Sequence, residues 1–368
     1  MRRKLINFSY IFIASLMMFL FSDSSVLALD IPVRVLIYKG KEFSISGDTL
    51  TLYIRNSEQN RLDGLSRISG KLDGSRLILE ISDKNQETKV LTLEDRSVLE
   101  ITGNNISING ITYRGELRIL NRNNNLLGIN ILPLEEYLYS VVPSEVPFYW
   151  PMEALKAQAV LARTYALKSI MSSVGRDYDI EDTQNSQVYR GKSWEYSTTT
   201  TAVNSTKGEV VFYGNSIANV YFHSTCGGHT ESARNVWNIP ALPYLTGLGC
   251  PYCEDSPWSR WERVIRREDW DKVIKNSELE LEYSPSGRIL KLNGIEGTKI
   301  RNIFNLPSTS ITGIEVRDKE VIVKGKGYGH GVGVCQWGMK RMAELGFSYR
   351  EIISYYLPGV NIDAYRGF

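Results

Sequence analysis

Histidine is scarce in this 368-residue chain: only His223, His229 and His330 occur. No G-x-S-x-G elbow, H-E-x-x-H pair or EF-hand loop is present, so Ser-His-Asp hydrolysis has no local support. Cysteine is nearly as rare, with Cys226, Cys250, Cys253 and Cys335 making four. A chain of this length builds a core without disulfide staples. There is no run of like charges, no low-complexity tract and no repeat of solenoid length. Residues 1–28 hold three basic residues (Arg2, Arg3, Lys4) and one acid (Asp23). The remaining 40 basic and 40 acidic residues leave a formally neutral chain. That balance gives no electrostatic footprint for nucleic acid.

Long apolar runs are missing too, except at the start. The basic Arg2-Arg3-Lys4 precedes a stretch from Leu5 to Phe21 interrupted only by Asn7, Ser9 and Ser15. Val26 and Ala28 stand at minus 3 and minus 1 of a cleavage site before Leu29. This pattern is an export signal. Its length sits at the short edge of a membrane span, so cleavage and retention as an anchor are both open. The expected location is extracytoplasmic, secreted or anchored on the outer face of the cytoplasmic membrane, with membrane contact through this segment alone.

The body is 42% hydrophobic and 23% charged overall, ordinary for a globular protein. Residues 29–112 alternate like strands, as in Ile31, Val33, Val35 and Ile37, with Gly, Asn and Asp clusters between the runs. They form a β-rich N-terminal region that carries no evident chemistry. A second part, 113–368, begins near Tyr113-Arg114-Gly115. It holds a strongly helical stretch over 152–171, opened by Pro151 and rich in alanine. Two further helices are predicted near the C-terminus, over 334–345 and after the capping box Ser348-x-x-Glu351. The expected fold class is α+β: mixed, mostly antiparallel sheets with a central long helix and two C-terminal helices.

Three segments can carry chemistry. In Pro143-Ser144-Glu145-Val146-Pro147 a carboxylate lies between two prolines, expected on a stiff turn between a strand-like run and the long helix. Its apolar company (Val141, Val142, Phe148, Tyr149, Trp150) favours the protonated form. The bland alternative is a solvated or capping glutamate. In Phe222–Glu231 and the following Cys250-Pro251-Tyr252-Cys253, the residues Cys226, Cys250, Cys253 and His229 can furnish a zinc site. A disulfide or a set of free buried thiols fits the same residues. In Gly325–Gly338, glycines alternate around His330, but the Walker lysine pattern and the G-x-G-x-x-G of a βαβ unit are absent, which excludes nucleotide binding. His330 then serves a substrate or fixes its loop.

Taken in order, LPLEEYLYSVVPSEVP, ALKAQAVLARTYAL, DTQNSQVYRG, FHSTCGGHTES and GYGHGVGVCQWGMKRMAELGFSYREIISYYLPGV resemble the stage II sporulation protein D family, which includes amidase enhancers. The likeness covers most of residues 113–361. It implies a lytic transglycosylase acting on peptidoglycan glycan strands stripped of their stem peptides, with no cofactor required and a cell-wall amidase as partner, during forespore engulfment. By motif position Glu145 is the implied catalytic acid/base. Gln158, Arg163, Gln187, Tyr189, His330 and Gln336 are the implied glycan-groove residues, with Arg163 paired to Glu145 or to the muramic lactyl carboxylate. A non-catalytic amidase enhancer is the main alternative and a zinc amidase a distant third. Clostridial members resemble a Cys…His-Cys-Gln zinc pattern where this chain reads Asp182-Thr183-Gln184-Asn185-Ser186-Gln187. That family metal site is therefore missing here.

Overall fold

The computed structural model describes residues 31–367 apart from 56–59, 185 and 276–277. The export segment, 1–28, lies outside the described residues. The fold is mixed α+β with mostly antiparallel sheets.

The alternation of the first hundred residues becomes a long sheet. Its strand order is Ile180–Glu181, Pro32–Gly40, Asn125–Pro133, Glu116–Arg122, Val98–Thr102, Glu42–Ile54, Arg61–Asp73, Arg76–Asp83 and Thr88–Leu93. All neighbours are antiparallel except the first pair, Val35 with Ile180. Successive strand side chains face opposite ways, so Val33, Val35, Leu77, Leu79, Ile81, Leu99 and Ile101 are all buried on the covered face. The boundary expected between residues 112 and 113 falls inside this sheet, because Val98–Thr102 pairs with Glu116–Arg122. The described residues between 31 and 365 belong to one compact unit.

Helix α1 spans Leu134–Glu145 and helix α2 spans Met152–Ser172. The long helix matches its expected bounds within a residue. Its alanines Ala154, Ala157, Ala159, Ala162 and Ala166 are fully buried, which lets neighbouring backbones approach on several sides. It packs against α1, the Ser197–Ser205 helix, the Glu209–Tyr213 strand and the two C-terminal helices, Gln336–Glu344 and Tyr349–Tyr356. The capping box forms as written: the Ser348 hydroxyl accepts from the Glu351 N–H and the Glu351 carboxylate accepts from the Ser348 N–H.

A second core, not anticipated from the sequence, occupies part of residues 254–334. Trp261, Ile265, Trp270, Ile289, Leu292, Ile300, Val321 and Val323 pack among themselves, apart from the main cluster. They come from two small three-stranded sheets and two short helices.

Candidate active site

One run departs from the sequence expectation. The residues before Glu145 are helical, not a strand entering a turn. Glu135 and Glu136 occupy the first turn of α1, where acidic groups complement the helix dipole. Pro143 lies in the last turn, where its missing N–H costs one hydrogen bond and the helix ends soon after. Val146 precedes Pro147 and is extended (φ −137°, ψ 149°), as a pre-proline residue must be. The helix therefore stops at Glu145, and two prolines decide where.

Glu145 is half-buried at that terminus. Burial pushes its carboxyl up to about 7 from an ordinary 4.5, against smaller opposing pulls from the Val188 N–H and the Arg190 charge. The N–H of Val188 donates to Oε1 at 3.4 Å, a long contact that leaves the acid largely unpaired. The last turn of α1 carries no basic side chain, and a helix C-terminus disfavours a negative charge.

Segment 186–190 runs beside α1 and alternates. Gln187 and Tyr189 point inward and are sealed from solvent, while Val188 is half-buried and Arg190 exposed. The Tyr137 hydroxyl donates to Gln187 Oε1 (3.3 Å), and the Tyr189 hydroxyl donates to Asn130 Oδ1 (2.8 Å). Gln187 and Tyr189 thus brace the strip that faces Glu145 and do not line an open groove. On the other side, Gln336 Nε2 donates to the Glu145 carbonyl (3.4 Å) and to Gln158 Oε1 (3.3 Å). Gln158 is fully buried and its own Nε2 has no partner among the described residues. Gln336 thus joins the Glu145 backbone to Gln158, and Gln187 directly precedes Val188, whose N–H reaches the Glu145 carboxylate.

Arg163 is elsewhere. Its guanidinium makes a bidentate pair with Glu135, both contacts 2.8 Å, at the opposite end of α1 from Glu145. The expected pairing with Glu145 is replaced by this one, since α1 is a helix and separates the two acids by its length. His330 also lies apart, with Tyr221, His223 and Trp237. Its Nδ1 accepts from the Val332 N–H and its Nε2 donates to the Phe222 carbonyl, both 3.0 Å, so the ring is neutral, and burial holds it down near 4.

Aromatic residues that follow Glu145 in the chain cluster with segment 190–196. Phe148 stacks on Tyr196 (4.1 Å, 5°) and meets Tyr149 edge-on, while Arg190 lies over Trp194 (4.1 Å). Tyr149 is 73% exposed and Phe148 40%. Read along the chain, Phe148 and Tyr149 count only as apolar flanking of Glu145, and Trp194 and Tyr196 carry no signal. A polar cleft of about 430 Å³, lined in part by Asp48, Asn105, Arg114, Glu136 and Lys192, lies toward the N-terminal strands, and Glu145 is not in its wall.

The four cysteines converge, and the fourth member of the cluster is Cys335, not the expected His229. Their sulfurs lie within 4.8 Å of one another, all buried. His229 Nδ1 instead contacts the Thr230 carbonyl at 2.6 Å. At 182–187, Asp182 Oδ1 accepts the Tyr189 N–H (2.6 Å), and no histidine or cysteine is present to hold a metal.

The raised carboxyl has a measurable consequence. A carboxyl whose folded pKa is raised contributes stability that is whole below about 4.5 and is lost as pH rises through about 7. Glu145→Gln removes that loss. The variant's stability relative to wild type should grow by about 2–3 kcal/mol between pH 4 and pH 9. Urea unfolding across that range measures it, and a pH-independent difference would show that burial leaves Glu145 an ordinary acid.

Residues 122–213 match the family model described as stage II sporulation protein. The span includes Glu145, Gln158, Arg163, Gln187 and Tyr189. The chain is 31% identical over 268 residues to stage II sporulation protein D of Bacillus subtilis, covering 64% of this chain and 76% of that protein. It is 36% identical over 282 residues to an uncharacterised protein of Brachyspira hyodysenteriae, covering 72% and 76%. It is 28% identical over 294 residues to the amidase enhancer of Bacillus subtilis, covering 62% of this chain and 40% of that protein.

Proposed function

The chain belongs to the stage II sporulation protein D family, and on that premise we propose that it is a cell-wall protein that cleaves peptidoglycan glycan strands as a lytic transglycosylase. The observation that carries this reading is the Glu145 carboxyl, held at a proline-fixed helix end and raised to about 7. A single group with that affinity can give and take a proton near neutral pH.

Glu145 starts protonated. It donates to the glycosidic oxygen between N-acetylmuramic acid and N-acetylglucosamine as the C1–O bond breaks. The resulting carboxylate takes the proton of the muramic C6 hydroxyl as that oxygen bonds to C1. The product is a 1,6-anhydro end, the acid is regenerated, and no water is consumed. Hydrolases need a second carboxylate to activate water or attack the sugar; here the substrate supplies its own nucleophile. The exposed Phe148 and Tyr149, with Tyr196 stacked on Phe148 and Trp194 beneath Arg190, form a ledge that offers apolar faces for pyranose rings to stack on. The substrate is glycan freed of stem peptides, with an amidase as partner, and the site of action is extracytoplasmic. No helix among the described residues is long and apolar enough to cross a membrane.

Digestion of denuded glycan by residues 29–368, followed by mass spectrometry, tests the activity: anhydro-muramyl ends are expected. The amidase-enhancer relative favours one other reading, a glycan-binding activator without catalysis. Absence of anhydro ends together with stimulation of an amidase would establish it instead. The ledge has its own test. Tyr149→Ala combined with Tyr196→Ala should weaken glycan binding about tenfold, as losing ~1–2 kcal/mol of aromatic contact requires. The pH profile of turnover should not move. Equal affinity in a pull-down with purified glycan would place the strand elsewhere.

A further inference from the structure

We propose that Cys226, Cys250, Cys253 and Cys335 bind one zinc ion as a closed, structural tetrathiolate site. The four sulfurs surround one point: all lie within 4.8 Å of one another, and Cys226 and Cys253 are 3.4 Å apart. Zinc–sulfur bonds of about 2.3 Å set tetrahedral sulfur–sulfur edges at about 3.8 Å, within that span. Two disulfides would draw the sulfurs into separate pairs at about 2.05 Å, and such pairs need no common centre.

The surroundings suit thiolates. The backbone N–H of Cys226 donates to Cys335 Sγ at 3.3 Å, and the Tyr356 hydroxyl lies 3.1 Å from Cys250 Sγ. Such outer contacts fix metal ligands and stabilise their charge. A second, independent observation concerns Arg288. Its side chain is buried (1% exposed), its Nη2 donates to the Cys226 carbonyl at 2.7 Å, and its Nε and Nη1 have no partner among the described residues. A buried cation without its donors satisfied is costly. Zinc with four thiolates carries a net charge of −2, and that charge beside Cys226 offsets the guanidinium.

The ligands come from three distant places: the loop after the Phe222–His223 strand, the Cys250–Cys253 turn, and the end of the Val334–Cys335 strand. Cys253 and Cys335 bracket residues 254–334, which contain the second core. A metal there closes the neck of that insertion. It also fixes the residue before Gln336, whose amide reaches the Glu145 carbonyl. With four protein ligands no position is open, so the ion positions the helix start and does not itself meet substrate.

The full chain, purified without chelator, should contain one zinc per molecule by elemental analysis. Its thiols should resist Ellman's reagent in the native state until a mercurial releases the metal. Reduced, metal-free chain titrated with cobalt(II) alone should develop the visible bands of a tetrahedral thiolate site at one equivalent. Cys335→Ser should lose that spectrum, whereas His229→Ala should keep it, which separates this ligand set from one containing the histidine. A native mass two or four units below the reduced chain, with no metal, would overturn the proposal in favour of disulfides. Four reactive thiols and no cobalt spectrum in the reduced chain would overturn it in favour of free cysteines. Because these readouts are independent of glycan cleavage, their failure is distinct from failure of the transglycosylase reading.

Discussion

Replacing Glu145 by glutamine is expected to cut the release of anhydro-muramyl ends from denuded glycan by about 10²–10⁴-fold, with the fold retained. The range is that of one general acid–base residue. Glutamine matches glutamate in volume, so packing at the end of α1 is unchanged and only the transferable proton is lost. The half-buried carboxyl is raised to about 7, so the protonated donor makes up roughly half of the population at neutral pH. Turnover of the wild type should accordingly decline as pH rises above 7, where the donor form is depleted. Circular dichroism and urea unfolding check the fold, and mass spectrometry of the digest reads the product. An active Glu145→Gln protein with an intact fold would remove this residue from the mechanism. A wild type whose rate is flat through pH 6–9 would leave the raised carboxyl without a role.

Much of this arrangement was legible in the residues, and the exceptions have physical causes. The alternation of Val33 and Val35, or of Leu77, Leu79 and Ile81, survives as strands because one face of the sheet is covered. Helix α2 was legible because twenty residues of high helix propensity contain no glycine or proline. Helix α1 was not, because Tyr137, Tyr139, Val141 and Val142 favour strands locally and Pro143 argues against a helix. The available signal was Pro133 followed by the acids Glu135 and Glu136, a helix-start pattern. That error displaced Arg163 as well, since its true partner sits 28 residues away on an element not foreseen. The convergence of Cys335 with the other three thiols was not legible because an insertion with its own core separates it from Cys253, and no spacing rule spans such a distance. Gln187 and Tyr189 occupy a strip near Glu145 but on its inward side; which face an irregular segment buries is set by packing that the sequence does not display.

Loss of the Arg163 side chain is expected to be among the most damaging changes to stability. Arg163 is 2% exposed, and four of the five N–H donors of its guanidinium find acceptors inside the protein. Nε and Nη2 donate to the two oxygens of Glu135 at 2.8 Å, Nη1 to the Glu209 carbonyl and Nη2 to the Val203 carbonyl, both at 3.1 Å. Glu135 Oε1 also accepts the Gly208 N–H at 3.1 Å. One ion pair therefore ties α1, α2 and segment 203–209 together. Arg163→Ala leaves the carboxylate facing a cavity without its counter-ion and should cost about 3–5 kcal/mol in urea unfolding at pH 7. Arg163→Lys should recover only part of this, because an ammonium cannot match the two parallel contacts. A double change to Glu135→Leu and Arg163→Met should be milder than either single removal, since no charge is then left buried and unpaired. That pattern distinguishes a positioning clamp from a substrate contact: a groove arginine would show its loss in glycan affinity, with little change in the unfolding midpoint. The clamp grips the first turn of α1 and Glu145 occupies its last residue, so a variant that weakens the grip should lower turnover only as far as it lets that helix end wander. In the double variant, with the helix held by apolar contacts, the dependence of rate on pH should remain that of the wild type.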